Sequence, residues 1–140
     1  MLLQGQAVID LLPQKPPMVM IDSLLEVDEM KCKTSFTIKE GHLFCVSGKF
    51  EAAGLIENMA QTAAIQSGYM AQQQQEKPPI GFIAGIKRLE INGLPKVGES
   101  IETVIEMTQQ VFNIRLIIAQ IYVHQELLAS CEMKISVQEK

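Results

Sequence analysis

Hydrophobic and polar positions divide the chain into two halves of different period. Residues Phe50–Ala71 (FEAAGLIENMAQTAAIQSGYMA) form the only long segment with helical character, and the small residues Ala60, Ala64 and Gly68 fall on one stripe at i, i+4 and i+8. The stripe predicts a thin helix that approaches a curved sheet closely. Beyond it the period changes to two. Glu99–Thr108 sets Ile101, Thr103, Ile105 and Met107 against Glu102, Val104 and Glu106. Glu126–Val137 sets Leu127, Ala129, Cys131, Met133, Ile135 and Val137 inward against Glu132, Lys134 and Ser136. Val111–His124 has Phe112, Ile114, Leu116, Ile118 and Tyr122 on one face. Its other face begins with Asn113 and Arg115 and turns apolar through Ile117, Ala119, Ile121 and Val123, as in a central strand or one buried in a subunit interface.

The remaining elements follow from punctuation. Gln6–Leu12 predicts a short opening helix, stopped by Pro13 and then Pro16-Pro17. Met18–Val27 and Lys31–Ile38 predict a hairpin around Asp28-Glu29, and Lys39–Lys49 a loop holding Gly41, His42 and Gly48. Gln72–Pro79 is a solvated connection, Ile80–Ile91 a strand that begins apolar, and Asn92–Gly98 a turn-rich link. The order predicts an α+β protein: one long central helix wrapped by a curled antiparallel sheet of about six strands, in a single domain over residues 1–140.

Composition narrows the function classes. A net charge of −4 without a basic run, no tryptophan and two tyrosines exclude a phosphate-binding surface or a base-stacking platform for nucleic acid. No apolar run reaches the length of a membrane span, and MLLQGQAVIDLL lacks the marks of a signal peptide. Cys32, Cys45 and Cys131 are odd in number and not spaced as metal pairs, which suits reduced thiols in the cytoplasm and calls for neither metal nor cofactor.

Against this background Glu57 stands out. It is a carboxylate in the second turn of a helix that reads as buried, with Asn58 and Gln61 beside it. Buried carboxylates are rare unless paired or at work. The plainer alternative is that Glu57 stabilises the helix N-terminus, as acids there often do.

Two segments carry a family resemblance. Leu11-Leu12-Pro13-Gln14-Lys15-Pro16-Pro17-Met18-Val19-Met20-Ile21-Asp22 resembles the N-terminal motif of 3-hydroxyacyl-(acyl carrier protein) dehydratases, and Glu57-Asn58-Met59-Ala60-Gln61 resembles their helix signature Glu-Ala-Met-Ala-Gln. The element order is similar to the hotdog fold. The resemblance implies a homodimer or higher even oligomer with sites at the subunit boundary, and elimination of water from a 3-hydroxyacyl thioester on acyl carrier protein. It implies Glu57 as the acid protonating the leaving hydroxyl, with Gly54, Asn58 and Gln61 lining the substrate. Two positions compete for the family's histidine: His42, in Gly41-His42-Leu43-Phe44, and Lys49, in Gly48-Lys49-Phe50. The Pro-Gly of the family's helix entry is altered, and Gly54 is the nearest glycine. Backbone N–H groups near Ala52–Gly54 are the expected oxyanion donors. A hotdog thioesterase, or a non-catalytic acyl-binding partner subunit, fits the same architecture.

Overall fold

Period-two alternation in the second half of the chain produces four long antiparallel strands that carry most of the sheet. The computed structural model describes residues 1–138. The elements are β1 (Leu3–Gln4), α1 (Gln6–Leu11), β2 (Ser23–Val27), β3 (Lys31–Thr37), β4 (Cys45–Val46), β5 (Lys49–Phe50), α2 (Ala52–Gln73), β6 (Ile80–Ile91), β7 (Ser100–Val111), β8 (Ile114–Val123) and β9 (Glu126–Gln138). Seven strands form one antiparallel sheet in the order β1-β2-β3-β7-β8-β9-β6, and β4-β5 form a separate small hairpin. After α2 the chain enters at the far edge as β6, which pairs with β9, and β7 then returns to pair with β3.

The core lies between α2 and the sheet. Helix residues Leu55, Met59 and Ile65 pack on Cys32 and Phe36 of β3, Ile101 and Ile105 of β7, Ile117, Ala119 and Ile121 of β8, and Ala129, Cys131 and Met133 of β9, all buried. The helix has no side-chain N-cap and no acid in its first turn, so burial rather than capping holds it. Two polar pairs cross this interface: Thr62 Oγ1 meets Thr34 Oγ1 at 2.9 Å, and the Thr103 hydroxyl donates to Asn58 Oδ1.

The sheet has seven strands rather than about six, because β1 is two residues long and shows no period. The loop over 39–49 contains the β4-β5 hairpin, and Phe50, expected at the helix start, ends β5 fully buried. The strand expected over Met18–Val27 begins only at Ser23: Met20 is buried, but α2 side chains rather than a neighbouring strand bind its backbone. Phe112 is 95% exposed in the β7–β8 turn at φ 54°, not on a strand face, and Leu127 is 41% exposed where β9 begins. The small-residue stripe faces away from its expected partner. A Cβ at Gly68 would collide with the Leu11 carbonyl oxygen, so the stripe admits the end of α1 instead of the sheet.

Candidate functional site

Helix spacing puts Gln61 one turn beyond Glu57 on the same face. The Gln61 Nε2 group donates to Glu57 Oε2 at 2.9 Å and to the Met18 carbonyl at 2.8 Å, while its Oε1 accepts the Met20 N–H at 2.8 Å. Asn58 Nδ2 donates to the Met20 carbonyl at 2.8 Å. Both peptide groups of Met20 are thus bound by helix side chains that are themselves fully buried. Asn58 and Gln61 are committed to Met18, Met20 and Thr103: they join α2 to the segment before β2 and to β7, and Gln61 also fixes one oxygen of Glu57.

Glu57 is half-buried and lines a groove of about 750 Å³. One wall is Ala60 and Ala64 of α2, a second is Leu12 and Pro13 beyond α1, and a third is the start of β6 from Ile80 to Ile83. The lining is mostly apolar, as a site for an acyl chain requires.

The other expected residues lie elsewhere. Gly54 is buried, and a Cβ there would sit 2.6 Å from Phe50 Cζ and 2.9 Å from Phe44 Cβ. Its N–H donates to the Glu51 carbonyl at 2.9 Å, so its small size serves the packing of two phenylalanines. The helix-start N–H groups of Ala52 and Ala53 precede any intrahelical acceptor. His42 stands among Phe36, Phe44 and Phe50, with ring centroids at 5.7, 6.1 and 5.5 Å. It is not part of the groove wall. Burial lowers its pKa, opposed by the Val19 carbonyl and reinforced by the Lys39 ammonium. Its Nδ1 accepts the Phe44 N–H at 3.2 Å, which leaves the proton of the neutral ring on Nε2. In this tautomer the imidazole has no free lone pair for a base. Lys49 is exposed on β5, opposite Lys96. Among the described residues no cluster of His, Cys, Asp or Glu could hold a metal ion.

One groove residue had drawn no functional reading from the sequence. Arg115 opens the inward face of β8, on the same parity as Ile117, Ala119 and Ile121. Its Nη1 donates to Ser67 Oγ on α2 at 2.5 Å, its Nε is buried without a partner, and burial lowers its pKa. A cation at an inward-facing strand position was the available signal.

The sequence profile of the ApeP-like family, described as ApeP dehydratase, matches residues 6–140. The chain belongs to the ApeP-like dehydratase family. No match to this ApeP-like chain was found among curated proteins. Its fold is the hotdog fold, shared with several solved structures. The dehydratase heterocomplex ApeI:P from Xenorhabdus doucetiae superposes with a TM-score of 0.88 at 19% identity, covering 100% of this chain and 94% of that one. The PaaI protein of the E. coli phenylacetic acid degradation operon gives 0.66 at 10% identity, covering 81% of each chain. A hypothetical thioesterase with coenzyme A from Streptococcus pneumoniae TIGR4 gives 0.67 at 8% identity, covering 84% of this ApeP-like chain and 88% of that one. These structural likenesses show the shared fold, and the family profile carries the dehydratase description.

Proposed function

We propose that this protein takes part in eliminating water from a 3-hydroxyacyl thioester carried on acyl carrier protein. The product is the trans-2-enoyl thioester, in cytoplasmic fatty-acid biosynthesis or a related polyketide or lipid route. One observation carries the reading: a half-buried carboxylate, Glu57, fixed by Gln61 on the wall of an apolar groove. A base takes the proton next to the thioester carbonyl, the C–O bond to the neighbouring hydroxyl breaks, and the Glu57 carboxyl gives its proton so that the group leaves as water.

The chain, residues 1–140 as one hotdog unit, pairs through the free edge of β6, as a homodimer or higher even oligomer. The base then arrives across that edge. It is His42 of a second copy once the Phe44 contact is given up, or a group on a different hotdog chain. Enclosure of His42 by three aromatic rings favours the second source, and the structurally similar ApeI:P is a dehydratase heterocomplex.

Incubation with 3-hydroxyacyl-(acyl carrier protein) tests the reading. Enoyl product supports it, and release of free carrier thiol points to a thioesterase instead. Glu57→Gln lowers kcat by on the order of 10²–10⁴. Unchanged turnover in that variant overturns the assignment. His42→Gln separates the two base sources: it abolishes turnover by the chain alone, but leaves the rate of a mixed assembly unchanged if the partner supplies the base.

A further inference from the structure

The groove contains more than the Glu57 end requires. Two side chains on its wall leave a buried polar atom unpaired: Gln14, at one end of its amide, and Arg115, at Nε. Unpaired buried polar atoms are costly, and a folded protein retains few of them without a use. Arg115 makes one hydrogen bond, to neutral Ser67, and no carboxylate among the described residues lies within ion-pair distance of it. A second hollow of about 670 Å³ also reaches Arg115 and is lined by Glu29 and Glu76, yet neither pairs with the guanidinium. Lys77 lines both hollows and adds a second positive charge.

Position gives the site a length. Ser67, which holds Arg115, is ten residues beyond Glu57 on α2, so the cation lies about 15 Å along the helix from the carboxylate. Between them the wall is Ala60, Ala63 and Ala64. An apolar trough with an acid at one end and an unpaired guanidinium at the other matches an elongated ligand that is reactive at one end and anionic at the other.

We propose that Arg115 is an oxyanion-binding residue of this groove, taking a phosphate or carboxylate of the ligand through the guanidinium N–H groups not used by Ser67, with Lys77 alongside. A guanidinium presents its donors in a fixed fork that matches either anion. The inference rests on the dehydratase reading for which end of the ligand reacts. The oxyanion has two sources: the phosphate of the carrier's pantetheine arm, or a carboxylate at the far end of the acyl group.

Calorimetry on the full chain, in its native assembly, separates them. Pantetheine 4′-phosphate is compared with pantetheine, and an adipoyl pantetheine thioester with its hexanoyl counterpart. Arg115→Gln is measured alongside, with its unfolding transition recorded. A charge-assisted contact predicts a preference of about 10- to 100-fold for the anionic member of one pair, lost in Arg115→Gln and partly kept in Arg115→Lys. Preference in the first pair identifies the arm, and in the second the acyl end. In the wild-type chain the Arg115 Nε–H resonance shifts with the anionic ligand only, a readout that stands even if Arg115→Gln fails to fold. Equal binding within both pairs, or a preference that survives Arg115→Gln, overturns the proposal. Glu57→Gln keeps the binding preference while losing turnover, so failure of the anion site and failure of the catalytic reading are seen separately.

Discussion

Individual side chains in this protein are set by what surrounds them more than by their type. Glu57 and His42 are both titratable residues near the start of the central helix, yet only one reaches the groove. Glu57 is held by an amide that is itself held by two backbone groups, so its orientation is inherited from Met18 and Met20. His42 is enclosed by rings, and its depressed pKa has a consequence for stability. The folded state disfavours the charged imidazole, so below about pH 6.5 the unfolded chain binds more protons and stability falls as pH drops through the folded-state value. We expect urea midpoints to decline as pH falls below about 6.5, and His42→Phe, which suits the aromatic surroundings, to flatten that decline. An equal slope in the variant would locate the effect elsewhere. The thiols behave in the opposite sense. Burial raises Cys32 to about 12 and Cys131 to about 11 from 9.0, so both stay protonated, and their contribution is lost only as pH climbs above 9.

At the scale of elements, close approach between helices does work that sequence reading assigned to the sheet. Gly68 lies under the Leu11 carbonyl with no room for a Cβ, and the obstacle is backbone oxygen, which cannot rotate away. Gly68→Ala is therefore expected to push α1 off α2 and cost roughly 1–3 kcal/mol of unfolding free energy. Gly93→Ala, whose Cβ would meet Leu128 at an ordinary 3.6 Å, changes stability by less than about 0.5 kcal/mol. Chemical denaturation of the two variants side by side checks this. Because Leu11 and Leu12 also line the groove, Gly68→Ala should weaken ligand binding as well.

The long elements were legible because they repeat: β7, β8 and β9 each bury alternate residues over many positions, and the period identifies the inward face. The short ones were not, since β1, β4 and β5 have two residues each and no period to read. Met18–Ile21 misled for a different reason. Its apolar run is real and buried, but its hydrogen bonds go to Asn58 and Gln61, a choice made by tertiary contact and invisible locally. Phe112 misled because a turn without glycine or proline carries no mark. Of the site, Glu57 was visible as an acid in an apolar helix. The distance of His42 from the groove wall was not, because a loop's path depends on packing around Phe44 and Phe50.

The whole molecule has two unequal sheet edges. One is β1, two residues long, whereas the other is β6, twelve residues long and bonded only on its β9 side. A long unpaired strand exposes a row of backbone donors and acceptors and invites a second strand. The two halves of β6 differ in how they meet that hazard. From Lys87 to Glu90 the register shifts, Arg88 takes φ 52° and pairs with Glu132, and charge and twist discourage docking. From Ile80 to Ile83 there is no such protection, and Phe82 and Ile83 are 53% and 41% exposed. That unprotected half is also the groove's third wall, so a strand laid against it would close the groove and bring a neighbour's side chains toward Glu57. Assembly and activity should then fail together. We expect light scattering to show the native chain at twice its monomer mass or bound to a second hotdog chain. The Phe82→Lys, Ile83→Lys double variant, placed in the unprotected half, should fall to monomer mass and lose turnover, while circular dichroism confirms an intact fold. A variant that stays assembled, or that works as a monomer, would show that the site is complete within one chain and that the β6 edge serves some other contact.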